Sequence, residues 1–147
     1  MKRSKGFTLI ELMVVIVILG ILSAVIAPRI PQFVNKAKEG RTKGNLATLR
    51  STLNIYYSDN EGWYPQAADP AASLIPKYLK KIPLCETVQT GHGRSEDIEA
   101  VSEGNVTFGT TDAGKWGYED TMTADGWGDV WIDCTHEDLT NNRWTSY

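Results

Sequence analysis

A long apolar segment near the N-terminus limits the folds available to this chain. It runs from Phe7 to Ala27 and contains a single charged side chain, Glu11. In helical form a segment of this length rises about 31 Å, which matches the hydrocarbon thickness of a bilayer. Lys2, Arg3 and Lys5 precede it, so the positive-inside rule places the N-terminus in the cytoplasm. We therefore expect a single-pass membrane segment that carries an extracytoplasmic domain.

Glu11 requires an explanation, because a carboxylate inside a membrane segment is costly. One explanation is local: Thr8 and Glu11 have the spacing of a capping box, in which the two residues satisfy free N–H groups at a helix start. The other depends on cleavage after Gly6, which would create an α-amine on Phe7 close to Glu11. The amine of a neighbouring subunit would then neutralise the carboxylate inside an apolar assembly. The sequence leaves both explanations open.

Residues 5–15, KGFTLIELMVV, resemble the processing signature of type IV pilins, a family that includes the pseudopilins of type II secretion systems. The resemblance implies that a prepilin peptidase cuts between Gly6 and Phe7 and methylates the Phe7 amine. It also implies that Glu11 and Phe7 guide subunit register during assembly. Gly20, within the apolar segment, and Pro28, directly after it, stand where such helices often carry a weakening glycine and a kinking proline.

Beyond the apolar segment, hydrophobic residues recur at spacings of three, four and seven, which predicts an amphipathic helix that ends near the turn formers at 59–62. An apolar half-helix in water would expose far too large a patch, so it must lie in lipid or against copies of itself. We divide the chain into a leader (1–6), a membrane and filament-core helix half (7–28), an amphipathic stem half (29–59) and a globular head (60–147).

Charge is distributed unevenly between stem and head. Residues 29–50 carry a net charge of +5, and residues 60–147 carry −9. One interpretation is complementary packing between the stem and head of adjacent subunits; the other is an ordinary solvated charged face. Nucleic-acid binding is not expected, because the basic stretch has no interleaved aromatic residues.

The fold class predicted for the chain is α+β, with the long helix packed on a small antiparallel sheet. Residues 70–81 are expected to form a short helix or turn, and residues 84–104 a loop. Strand signals occur at Val106–Phe108, Lys115–Tyr118 and Asp129–Asp133, separated by Gly and Asp clusters. The economical arrangement of these strands is an antiparallel meander against the stem.

The chain contains two cysteines, Cys85 and Cys134. Outside the membrane they would meet an oxidising compartment, and we expect a disulfide between them. The resemblance supports this pairing, since many type IV pilins close a C-terminal loop in this way. Two free buried thiols are the alternative. A zinc site is not expected, because no second cysteine stands nearby and His92 and His136 lack ligand spacing.

Calcium binding, cofactor binding and catalysis are the other site chemistries to consider. Asp125 and Asp129 are the calcium candidates of an acidic, glycine-rich stretch, but the spacing fits no EF-hand loop. No cofactor is implied. Catalysis is not expected, because the sequence has no nucleophile elbow, phosphate loop or cysteine–histidine pair.

These observations predict a structural subunit of an extracellular type IV pilus. Its expected partners are copies of itself, the prepilin peptidase, the inner-membrane pilus assembly machinery and, before assembly, membrane lipid. The precursor is expected in the cytoplasmic membrane and the mature form in the filament. The predicted disulfide favours a pilus over the main alternative, the major pseudopilin of a type II secretion system. A monomeric, membrane-anchored binding domain is the third possibility.

Overall fold

The computed structural model describes residues 6–66, 69–101 and 111–147. The chain divides into two compact units, Met1–Asn35 and Lys36–Tyr147. The helices are α1 (Leu9–Ile26), α2 (Ile30–Asp59) and α3 (Pro70–Leu74), with 3₁₀ turns at Ala27–Arg29 and Trp144–Ser146; the strands are β1 (Ile98–Val101), β2 (Lys115–Glu119) and β3 (Val130–Asp133).

The N-terminal helical region is long and apolar enough, by length and composition, to cross a membrane. None of the residues of α1 is buried. The helix continues through Gly20, and Pro28 lies in the 3₁₀ turn that follows α1, where its missing N–H costs little. The kink expected at these two positions stays a prediction.

The end of α2 is where the sequence places it. The helix stops at Asp59, and the next turn contains Glu61 and Gly62, both with positive φ. The Gly62 N–H bonds the carbonyl of Tyr57 at 3.0 Å, which satisfies one of the free carbonyls at the helix end.

The second unit has one hydrophobic core, to which α2 contributes Leu46, Leu49 and Leu53. Their spacing of three and four residues places them on one helix face. They share the core with buried residues of the sheet and of the loops around it: Cys85, Trp116, Tyr118, Val130, Ile132, Cys134 and Trp144. The predicted α+β fold is confirmed.

The sheet is mixed, with strand order β1-β2-β3. β2 and β3 are antiparallel, with Lys115 opposite Asp133, but β1 is parallel to β2, with Ile98 opposite Trp116. The predicted purely antiparallel meander is therefore wrong, as is the loop expected over residues 84–104, which contains β1. β1 has only four residues, and a parallel pair is joined by a long connection that no local turn signal marks. The predicted strand Val106–Phe108 lies outside the described residues.

Helix α3 is shorter than the 70–81 segment predicted. Its first turn is capped by Asp69, whose carboxylate accepts a hydrogen bond from the N–H of Ala71 at 3.0 Å. It ends at Leu74 because Ile75 precedes a proline and takes an extended conformation, as a residue in that position prefers.

Candidate functional site

The start of α1 is the first candidate site. Thr8 is the N-cap residue: its hydroxyl accepts a hydrogen bond from the N–H of Glu11 at 3.3 Å. In return, Oε2 of Glu11 accepts hydrogen bonds from the Thr8 N–H at 2.8 Å and the Thr8 hydroxyl at 2.7 Å. This is a complete capping box. Within the part of the chain that the structure describes, Oε1 of Glu11 accepts no hydrogen bond, so the carboxylate retains capacity for a cationic partner.

The proposed cleavage bond lies just before this helix. Gly6 and Phe7 are outside α1 and exposed, and the Phe7 side chain is 93 % accessible. A peptide bond in irregular, exposed backbone is open to a peptidase, whereas a bond inside a helix is not. The placement is compatible with cleavage after Gly6, which stays a prediction.

The apolar surface of the first unit is the second feature of the site. Every residue from Phe7 to Val34 is exposed, and the large side chains among them are mostly Ile, Leu and Val. A continuous apolar surface of this length far exceeds the patches that soluble proteins tolerate in water. It requires lipid or other protein chains around it.

The basic residues of α2 form ion pairs with acidic residues of the second unit. Glu86 receives Lys38 at 3.0 Å, Arg94 at 3.1 Å and also Arg41. On the neighbouring turn of the helix, Lys43 binds Glu39 at 3.2 Å and Asp138 at 2.7 Å. Three basic residues of the stem, Lys38, Arg41 and Lys43, are therefore paired with acidic residues of the head inside one chain.

These ion pairs shift the pKa values of the side chains that form them. Burial opposes the ionisation of Asp138, but hydrogen bonds from Lys43 and Tyr147 outweigh it and lower the pKa of that carboxyl. Burial likewise opposes the charge on Lys43, and its hydrogen bonds to Asp138 and Tyr147 raise its pKa. The pKa of Glu86 is lowered, despite its burial, by Lys38 and Arg94. All three groups are held in their charged forms at neutral pH.

Cys85 and Cys134 are both buried, and the structure has them as free thiols. Burial raises the pKa of Cys85 to about 12, with a further contribution from the nearby Cys134. The two residues therefore lie near each other in the core, as the expected disulfide requires. The bond itself stays a prediction.

The fold brings together four potential metal ligands, of which only Cys134 and His136 are near each other in the sequence. The donor atoms of His92, Asp112, Cys134 and His136 all lie within 4.8 Å of one another. Along the chain 43 residues separate the two histidines, which is why no metal site is expected from their spacing, but in the fold their rings are in contact, with centroids 5.0 Å apart. The sequence marks only half of this cluster, Cys134 and His136 two residues apart, and the tertiary structure adds His92 and Asp112.

The calcium candidates Asp125 and Asp129 are exposed and lie in the connection between β2 and β3. Among the described residues, the one group of three or more potential ligands is the His92 cluster, to which neither belongs. Calcium binding by these two aspartates stays a prediction.

Comparison with known proteins bears on the N-terminal signature first. A family model described as the prokaryotic N-terminal methylation motif matches residues 1–27. The type II secretion system core protein G of Pseudomonas aeruginosa is 35 % identical over 97 residues, which cover 56 % of this chain and 68 % of that protein. Core protein G of Dickeya chrysanthemi is 30 % identical over 78 % of this chain and 88 % of its own length. The chain belongs to the type IV pilin family, pseudopilins included.

A third relative in this family is the type IV major pilin protein PilE1 of Neisseria gonorrhoeae, 33 % identical over 64 % of this chain and 46 % of that protein. No solved structure matches the chain. Family membership makes the chain a pilin-like structural subunit and not an enzyme. Together, the pilin-family signature and the apolar helix mark it as a membrane-anchored precursor.

Proposed function

We propose that this chain is the major pseudopilin of a type II secretion system. The observation that carries the proposal is the extent of the similarity: it covers 78 % of this chain and 88 % of the Dickeya core protein G, but 64 % of this chain and 46 % of the gonococcal pilin. Since all members share the apolar helix, the extent of similarity beyond it is what separates the two kinds of subunit. It favours the pseudopilin over the pilus subunit expected from the predicted disulfide.

The proposed mechanism begins with removal of the leader, residues 1–6, and methylation of the Phe7 amine. The helix half 7–28 then leaves the lipid and packs against the same segment of neighbouring subunits, which keeps its apolar surface out of water. Glu11, whose Oε1 is free in the described chain, accepts the Phe7 amine of a neighbour and so sets the register. The stem 29–59 and head 60–147 form the outer part of the filament.

The partners in this proposal are copies of the chain, the prepilin peptidase, an inner-membrane assembly machinery and membrane lipid before assembly. The filament stays associated with the cell envelope. An extracellular pilus is the second candidate, supported by the 33 % identity to PilE1.

The test is deletion of the gene followed by complementation. For a pseudopilin we expect that exported proteins accumulate in the periplasm of the deletion strain and that the wild-type gene restores their release. Fractionation of the culture into medium, sheared surface material and cells gives the measurement. Normal export together with the loss of a sheared surface filament would assign the chain to a pilus. Normal export with no filament in either strain would assign it to an anchored binding domain.

A further inference from the structure

We propose that His92, Asp112, Cys134 and His136 form a binding site for a divalent transition-metal ion, with Zn²⁺ as the ion that fits best. The four residues lie in the second unit. The proposed site does not depend on whether the chain builds a pseudopilus or a pilus. The metal would coordinate through Nε2 of His92, Oδ1 of Asp112, Sγ of Cys134 and Nδ1 of His136.

The distances between donor atoms carry the proposal. Nε2 of His92, Nδ1 of His136 and Oδ1 of Asp112 form a nearly equilateral triangle with sides of 3.3, 3.3 and 3.4 Å. A tetrahedral Zn²⁺ with bonds of about 2.0–2.1 Å to nitrogen and oxygen separates such ligands by about 3.3–3.4 Å. Three of the six ligand edges therefore have the length that a single central ion requires.

The sulfur extends this geometry. Sγ of Cys134 lies 3.6 Å from Nδ1 of His136. With a Zn–S bond of about 2.3 Å, the tetrahedral distance between sulfur and nitrogen is about 3.5–3.6 Å. The remaining two edges, from the sulfur to Asp112 and to His92, are within 4.8 Å.

Direct hydrogen bonds explain the triangle less well. A good N–H···O bond has a length of about 2.9 Å, and both contacts to Oδ1 of Asp112 are longer than that. By contrast, the same oxygen accepts the N–H of Thr135 at a normal 2.8 Å. That bond also orients the carboxylate, as hydrogen bonds to metal-binding carboxylates commonly do.

The donor set selects the class of metal. Two imidazoles and a thiolate suit Zn²⁺ and similar transition metals, whereas Ca²⁺ and Mg²⁺ require mostly oxygen ligands. The proposed site is therefore distinct in chemistry from the calcium candidates Asp125 and Asp129. Four protein ligands leave no open position, so its role is structural.

The fold holds the ligands from three directions. Lys115 at the start of β2 pairs with Asp133 at the end of β3. Asp112, shortly before β2, and Cys134, directly after β3, therefore lie at the same end of these two strands. His92 lies in the loop closed by the bridge between Cys85 and Ser95. The His92 side chain packs closely against Gly114: a Cβ added at Gly114 would lie 2.5 Å from it, so only glycine leaves room for His92 there. The side chains of His92 and His136 are 16 % and 44 % exposed, so an ion can enter from solvent.

The proposal makes metal binding and the disulfide mutually exclusive. A coordinated Cys134 is a thiolate that has released its proton on binding and cannot also be joined to Cys85. Either link would tie the end of β3 to the loop that contains Cys85 and His92.

The test uses the full chain in detergent, reduced and stripped of metal, with Co²⁺ and Zn²⁺ as the probes. We expect one ion per chain, a tetrahedral Co²⁺ ligand-field spectrum with a sulfur-to-cobalt charge-transfer band, and displacement of Co²⁺ by Zn²⁺ but not by Ca²⁺. Cys85→Ser is the matched control: it removes the other buried thiol, cannot form the disulfide and should bind as the wild type does. Cys134→Ser should lose the charge-transfer band and weaken binding by more than about 100-fold, beyond the effect of an outer-shell change.

His92→Gln and His136→Gln should weaken Zn²⁺ binding in the same way, and bound Zn²⁺ should protect the wild-type chain from disulfide formation, so that two free thiols are counted after exposure to oxidant once the chain is denatured and the metal chelated. If the reduced wild type shows no charge-transfer band with Co²⁺, the proposal is wrong, whatever the variants do. Equal binding by Cys134→Ser and Cys85→Ser would also overturn it.

Discussion

In the proposed mechanism, Glu11 combines a local role at the helix start with an intermolecular role in assembly. Thr8 and Glu11 satisfy each other in the capping box, while one carboxylate oxygen of Glu11 remains free among the described residues. If capping were the whole function of Glu11, removing either partner would have the same effect. The proposed assembly role depends on the carboxylate alone.

This difference gives a residue-scale prediction. Glu11→Ala should abolish filament assembly while the chain still inserts in the membrane, because the neighbour's amine loses its counter-charge. Thr8→Ala should leave assembly largely intact, since the carboxylate is retained. Crosslinking of subunits in membranes provides the measurement. Equal loss of crosslinked subunits in both variants would show that Glu11 acts only through the capping box and would contradict its assembly role.

Asp138 gives a second residue-scale prediction, concerning pH. Its side chain is fully buried and bonded to Lys43 and Tyr147, so Asp138→Asn should lower the free energy of unfolding by about 2–3 kcal/mol at pH 7. Because folding lowers the pKa of this carboxyl, its contribution is present above the unfolded pKa of about 3.9 and is lost as the pH falls below it.

The measurement is denaturant unfolding of wild type and variant at pH 7 and at pH 3. The difference between them should shrink markedly at the lower pH. Asp125→Asn, at an exposed position, is the control and should change stability little at either pH. A difference for Asp138→Asn that is the same at both pH values would contradict the ion-pair account.

At the scale of elements, glycine-to-alanine substitutions in a strand and in a helix should have opposite effects on stability. A Cβ at Gly117 in β2 would lie 2.3 Å from the Trp131 ring, so Gly117→Ala should destabilise the head by about 1–3 kcal/mol through overpacking. Gly40 in α2 has open space around it, and Gly40→Ala should stabilise the helix by about 0.5–1 kcal/mol. Thermal unfolding of both variants tests the pair. A neutral Gly117→Ala would mean that the ring moves freely.

The elements also show what sequence could and could not predict. The end of α2 follows from local turn formers, and β2 and β3 follow from short aromatic and β-branched runs bounded by Gly and Asp clusters, so local patterns were sufficient. β1 was missed because Ile98–Val101 is short and its parallel partner is reached through a long connection. The metal-ligand cluster was missed for a related reason: the pairing of β2 with β3 brings Asp112 beside Cys134 and His136, and no spacing rule contains that information.

At the scale of the whole molecule, the chain consists of a unit that water cannot accommodate and a unit with its own core. The exposed apolar helix requires lipid or protein neighbours around it. The second unit pairs its charges internally and buries its leucines against the sheet, so it does not depend on those neighbours for its fold. This division is what a filament subunit needs, since assembly must move the helix from one apolar environment to another without unfolding the head.

The most direct measurement of the central claim is the intact mass of the chain in separated cell and sheared-surface fractions. For a processed pseudopilin we expect a species running from methylated Phe7 to Tyr147, found with the cell envelope and not in the sheared material. An uncut chain that retains Met1 would contradict processing and with it the assembly mechanism. The processed species released abundantly by shearing would contradict the pseudopilin assignment and support a pilus.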